Sequence, residues 1–143
     1  EYRTDSGGAG EHRGGLGQVM EIESAEDMPF GISTSFDRVV FPPRGRAGGQ
    51  SGATGRVELV SGKTLQPKAH SSVPVGERLR VSMPGGGGFG DPRRRDPAKV
   101  ARDVKRGLVS DEVARKVYGV VLTADHRVDE AATAKARTAV AAE

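Results

Sequence analysis

The sequence predicts an α+β fold, β-rich, with glycine-rich extended connections of polyproline II character and two or three short C-terminal helices. Three observations predict it. Sixteen of the 21 glycines fall into three clusters, Gly7 to Gly17, Gly45 to Gly55 and Gly85 to Gly90, and each adjoins a stretch with strand character. Before the third cluster Leu79, Val81 and Met83 alternate with Arg78, Arg80 and Ser82, which gives a strand one apolar face. After Gly90 the apolar period changes from two to four, between residues that start and stop helices.

Taken along the chain, the strand candidates are "QVMEI" (Gln18 to Ile22), "FDRVVF" (Phe36 to Phe41), "RVELV" (Arg56 to Val60) and "ERLRVSM" (Glu77 to Met83). Asp96 and Pro97 then form a helix start, with a side-chain cap and a ring-fixed first residue; Val100 and Val104 repeat four apart until Gly107 stops the run. Ser110 caps a second helix, Asp111 and Glu112 favour its positive end, Val113 and Val117 keep the spacing, and Gly119 ends it. "GVVL" (Gly119 to Leu122) reads as a short strand. The last segment, "DEAATAKARTAVAAE", is alanine-rich but poor in large apolar groups, so it forms a helix that frays unless docked. This divides the chain into a β-rich glycine-rich region over 1–92, a helical pair with a short strand over 93–122, and a C-terminal helix or tail over 123–143.

Composition limits the core. Hydrophobic residues make up 35%, aromatic residues 4% and charged residues 29%, which predicts a subunit or fragment that leans on a partner. The sequence opens on Glu1 rather than Met, without an apolar leader, which places the genetic start upstream. No apolar run approaches the roughly 20 residues needed to span a bilayer, so no membrane partner is expected. The absence of cysteine excludes disulfides, a thiolate nucleophile and a zinc-cysteine cage, and fits the cytoplasm. A net charge of +3 with interleaved signs is too small a bias to imply a polyanion.

Short motifs give little chemistry individually. "SGKT" (Ser61 to Thr64) resembles the end of a P-loop, but the motif's first glycine would fall at Val57, so a turn with a solvated lysine is the better reading. Gly85, Gly87 and Gly90 meet a GxGxxG spacing, yet Asp91, Pro92 and Arg93 to Arg95 intervene before any helix, whereas a dinucleotide site needs the helix to open from the glycine turn. His12, His70 and His126 stand apart without metal-ligand spacing, and "DSGG" lacks the strand that a nucleophile elbow requires. Arginine-glycine elements such as "RGRAGG" lack the aromatic platforms of single-strand binders, so no nucleic acid is expected. In "FPPRGRAGGQSGATGRVEL" (Phe41 to Leu59), Pro42 and Pro43 hold extended backbone and the glycines let such segments lie side by side. Packed architecture is therefore favoured over a basic tail or a phosphate cradle.

The arrangement as a whole is more specific than its parts. "DSGGAGEHRGGLG", "FPPRGRAGGQSGATGR" and "PGGGGFGDP", followed by "GLVS" and "YGVVL", closely resemble the C-terminal region of the hydantoinase B / 5-oxoprolinase family over roughly residues 3 to 122. The resemblance implies a B-type subunit of an ATP-dependent enzyme that opens a cyclic amide: a hydantoin, 5-oxoproline or a lactam. ATP and Mg would be bound by a partner, the hydantoinase A-type subunit, and any divalent metal by the N-terminal part of the B-type subunit, with no cofactor and no catalytic residue on this chain. Phosphorylating the amide oxygen would make its carbon electrophilic, and such an intermediate needs shielding from water. Related ketone (acetone or acetophenone) carboxylases use similar subunits, and a purely structural assembly role is a third reading. Within the resemblance the candidate contacts to substrate or interface are Arg13, Gly14, Gly15, Gly86 and Gly87. A guanidinium in a compact glycine turn needs either a carboxylate partner or an anionic ligand, and an internal ion pair is the commoner solution. A hetero-oligomer in the cytoplasm, with this chain alone inactive, completes the expectation.

Overall fold

Alternation in the sequence becomes a sheet around its most regular strand. The computed structural model describes residues 1–138. Five strands form: β1 (Val19–Ile22), β2 (Phe30–Ser35), β3 (Arg56–Leu59), β4 (Lys68–Val73) and β5 (Leu79–Ser82). β5 lies between β1 and β3 in a three-stranded antiparallel sheet, while β2 and β4 pair antiparallel as a separate two-stranded sheet. Leu79 and Val81 of β5 lie opposite Leu59 and Val57 of β3, and all four point into one core with Leu65, Val73 and the half-buried Phe30, Ile32, Phe36 and Met83. On the other face Glu21 bridges Arg78 and Arg80, which draws its carboxyl below the ordinary range, chiefly through the Arg80 hydrogen bond.

Three helices follow: α1 (Pro97–Lys105), α2 (Asp111–Lys116) and α3 (Glu130–Thr138). The predicted caps are in place. The Asp96 carboxylate accepts from the Ala98 amide at 2.9 Å and the Ser110 hydroxyl from the Val113 amide at 3.2 Å. Gly107 and Gly119 stop the first two helices with φ of 69° and 63°, a conformation costly to other residues. Val100 and Val104 are buried with Val109, Ala114, Tyr118, Val120 and Ala9, so the second core joins the helices to the first glycine cluster. α3 is tied down rather than left free: the Thr133 hydroxyl accepts from the Val121 amide, and Arg93 donates to the Ala136 carbonyl. The last five residues of the alanine-rich segment, 139–143, lie outside the described residues.

Two strand expectations change. Phe36 to Phe41 is not a strand: after the Phe36 amide bonds the Pro67 carbonyl, Arg38 turns to φ 60° and the chain leaves the sheet, with Val40 and Phe41 exposed. "GVVL" contributes only a single bridge, Leu122 to Val128. β2 and β4 escape the sequence pattern because serine, threonine and alanine fill many of their positions. What holds them in register is the ladder itself and buried Thr34, whose hydroxyl bonds both the amide and the carbonyl of Ala69.

Candidate functional site

Glycine brings the three clusters into backbone contact, with the third cluster central. The Gly8 amide donates to the Gly86 carbonyl and the Gly86 amide to the Gly15 carbonyl, both at 2.8 Å. On the other flank Gly88 donates to Gln50 and Arg46 to Gly88, both at 2.9 Å, and Gly85 to Ala53 at 3.0 Å. The first and second clusters also join directly, Gln50 to Ala9 at 2.7 Å and Ala53 to Ser6 at 2.8 Å. Extended segments without internal hydrogen bonds leave every amide free for such lateral pairing. The close approach excludes side chains: a Cβ on Gly14 would come within 3.0 Å of the Gly86 carbonyl, and one on Gly85 within 3.0 Å of the Ser6 carbonyl.

This geometry answers the motif questions. Gly85 and Gly87 press against neighbouring backbone, Gly90 donates to the Arg46 carbonyl and accepts from the Glu11 amide, and the next α-helix starts only at Pro97. The "SGKT" stretch is a tight turn after β3, closed by the Gly62 amide on the Leu59 carbonyl and the Leu59 amide on the Lys63 carbonyl. Among the described residues no group of three or more His, Asp or Glu side chains is placed to hold a metal ion. His12 tilts against Phe89 and His126 sits 3.6 Å from Asp111.

Of the five candidate contacts, Arg13, Gly14 and Gly15 share the wall of an open hollow of about 440 Å³, with Tyr2, Leu16 and Leu108. Gly86 lies behind them, bonded to Gly15, and Gly87 faces away toward the Arg44 carbonyl, so the five do not converge on one surface. Arg13 has the internal partner that the turn required. Its Nε lies 3.2 Å from Asp103 Oδ2, and its Nη1 donates to the Gly14 carbonyl at 2.9 Å. Arg95 reaches the same carboxylate oxygen at 2.9 Å and also donates to the Glu11 carbonyl at 3.0 Å. One buried acid on α1 therefore ties the first glycine cluster and the segment that follows the third to the same helix.

Sequence reasoning missed Asp103, Arg95 and Tyr118. Asp103 carried a usable signal, since it sits three residues after Val100 and one before Val104, on the apolar stripe of α1 where an acid needs a buried partner. Tyr118 closes the cluster from the helix side. Its hydroxyl and Arg95 Nε are buried without hydrogen-bond partners. Burial pushes the Tyr118 phenol above its ordinary value of 10.0, partly offset by Arg95 and Arg13. A raised folded value means stability that is complete below pH 10.0 and lost as pH rises through that folded value. Tyr118→Phe is accordingly expected to hold or raise neutral-pH stability, because it removes a buried hydroxyl without a well-formed hydrogen bond, and to flatten the alkaline fall in melting temperature. Parallel melts of both proteins across that range check this.

Comparison with known proteins covers nearly the whole chain. Residues 1–92 match the family described as Hydantoinase B/oxoprolinase. The chain is 41% identical to caprolactamase subunit beta of Pseudomonas jessenii over 145 aligned residues, which cover 95% of this chain and 25% of that subunit. It is 42% identical over 92 residues to 5-oxoprolinase 1 of Arabidopsis thaliana, covering 62% of this chain and 7% of that protein. The crystal structure of the ATP-dependent caprolactamase from P. jessenii matches with a TM-score of 0.76 at 35% identity, over 96% of this chain and 25% of that one. The chain thus spans a quarter or less of the length of these relatives. With most of its residues inside the family match and its fold shared nearly end to end, the chain belongs to the hydantoinase B/oxoprolinase family.

Proposed function

We propose that the chain is the C-terminal part of the B-type subunit of an ATP-dependent enzyme that hydrolyses a cyclic amide, and that it serves as architecture and contact surface while bond cleavage occurs elsewhere. The observation that carries this is the likeness to caprolactamase subunit beta along nearly the whole chain. The site geometry supports the division of labour. The glycine amides that could surround a phosphate are largely committed to neighbouring carbonyls, and Lys63 sits on an exposed turn, so the described residues do not fit an ATP cradle. ATP and Mg then belong to the A-type partner, and any divalent metal to the N-terminal part of the B-type subunit, in a cytoplasmic hetero-oligomer. A backbone-on-backbone core suits this role, because it presents a wall with little side-chain freedom to the groups packed on it.

The test is reconstitution of the complete B-type subunit with its A-type partner. ATP hydrolysis is expected to rise only when a cyclic amide is present and to yield the ring-opened product, and deletion of the glycine-rich segments is expected to abolish assembly. Bicarbonate-dependent consumption of a ketone without amide hydrolysis would replace this reading with a carboxylase.

A further inference from the structure

We propose that the hollow beside Arg13 is a binding site for a carboxylate carried on an aliphatic chain. The charge around it is unbalanced. Arg13 and Arg95 share the one carboxylate of Asp103, and the three side chains are only 15%, 11% and 6% exposed, so a net positive charge is held with little water to screen it. Of the acids close by, Glu11 turns its carboxylate to Arg94 and gives Arg95 only its backbone carbonyl, and Asp5, whose amide bonds the Leu108 carbonyl, gives its carboxylate to the Ser110 amide.

Hydrogen-bond donors are also left over. Among the described residues Arg13 Nη2 and the consecutive backbone amides of Gly15 and Leu16 donate to nothing, and Arg13, Gly15 and Leu16 all line the hollow. A guanidinium edge beside successive amides is a suitable receiver for a carboxylate's two oxygens. The remaining wall is carbon-rich, from Tyr2, Leu16 and Leu108, which suits an aliphatic stem better than a hydrated inorganic anion.

Gly15 supplies the third argument. Its neighbour Gly14 has to be glycine, because a Cβ would strike the Gly86 carbonyl. Gly15 does not: its φ is not positive and a Cβ there would meet nothing within 4 Å. The fold gives no reason for a missing side chain at this position, and the space it leaves belongs to the hollow. Close approach by a group from outside the described chain accounts for it.

The assignment deepens the contact role given above to Arg13 and Gly15 and rests on it, and its test is separable from turnover. The ¹H–¹⁵N spectrum of the chain is followed during titration with sodium propionate, with sodium chloride replaced mole for mole. Saturable shifts confined to Gly14, Gly15, Leu16 and the Arg13 Nε resonance are expected. Gly15→Leu projects a side chain from a Cβ position with nothing within 4 Å and should weaken propionate about tenfold without lowering the melting temperature; Arg13→Gln should weaken it similarly but also loses a fold contact, so Gly15→Leu decides. In the complete subunit, propionate that still binds identifies the occupant as a free carboxylate such as a ring-opened amide. Loss of binding with the Gly15 and Leu16 amides protected from exchange identifies an Asp or Glu side chain from the rest of the subunit. Shifts that are absent, that chloride reproduces, or that survive Gly15→Leu unchanged overturn the site. Failure of amide-stimulated ATP hydrolysis would leave this titration intact.

Discussion

Asp103→Ala is expected to destabilise the fold by about 3–5 kcal/mol, the usual cost of removing one partner from a buried ion pair. Asp103 is 5% exposed, and its Oδ2 is the shared acceptor for guanidinium groups from two segments that are distant in sequence. Without it Arg13 and Arg95 face each other at close range with no compensating charge. Two consequences add: mutual repulsion, and donors stripped of their acceptor where water is largely excluded. Because a domain's whole stability is only about 5–15 kcal/mol, most of the margin would go. Urea unfolding of the parent, Asp103→Ala and Asp103→Ala/Arg13→Met checks the mechanism as well as the size. The double substitution should recover part of the loss by removing the repulsion, whereas a loss below about 1 kcal/mol in the single substitution would mean that the cluster is already hydrated and contributes little.

The limits of a sequence reading appear in that cluster. Helix ends were legible because the cap chemistry is local: Asp96, Ser110, Gly107 and Gly119 each act within a few residues of themselves. β5 and β3 were legible because one face of each is apolar at period two. β2 and β4 were not, since their Ser and Thr positions give no alternation and Thr34 is buried through hydrogen bonds rather than apolar burial. Phe36 to Phe41 misled for the opposite reason: strong β-formers were present, but backbone geometry at Arg38 and its carbonyl bond to the Gly55 amide outweighed propensity. At the site, clustering of glycine announced close-packed main chain, and Arg13 announced a partner. Which acid answered Arg13 could not be read from spacing, because the two residues are 90 positions apart and meet only after the glycine segments and α1 have packed.

Gly85→Ala should have the other large effect, a loss exceeding about 3 kcal/mol, above the usual cost of overpacking a core. A side-chain clash can be relieved by a rotamer change, but here the obstacle is main chain. The added Cβ would fall within 3.0 Å of both the carbonyl oxygen and the carbonyl carbon of Ser6. Neither party can retreat. The Ser6 carbonyl accepts from the Ala53 amide at 2.8 Å, and the Gly85 amide donates to the Ala53 carbonyl at 3.0 Å, so separating Ser6 from Gly85 opens the junction of all three clusters. The Ser6 hydroxyl, bonded to the Arg3 carbonyl and accepting from the Gly17 amide, would move with it. Gly15→Ala provides the control in the same packing: with nothing within 4 Å of its Cβ, it should be neutral or stabilise by up to about 1 kcal/mol by restricting the unfolded chain. Denaturant midpoints for the pair separate the two explanations of a glycine-rich sequence. If Gly85→Ala matches Gly15→Ala, the glycines are there for flexibility; a large difference means that each marks a particular place where two backbones touch.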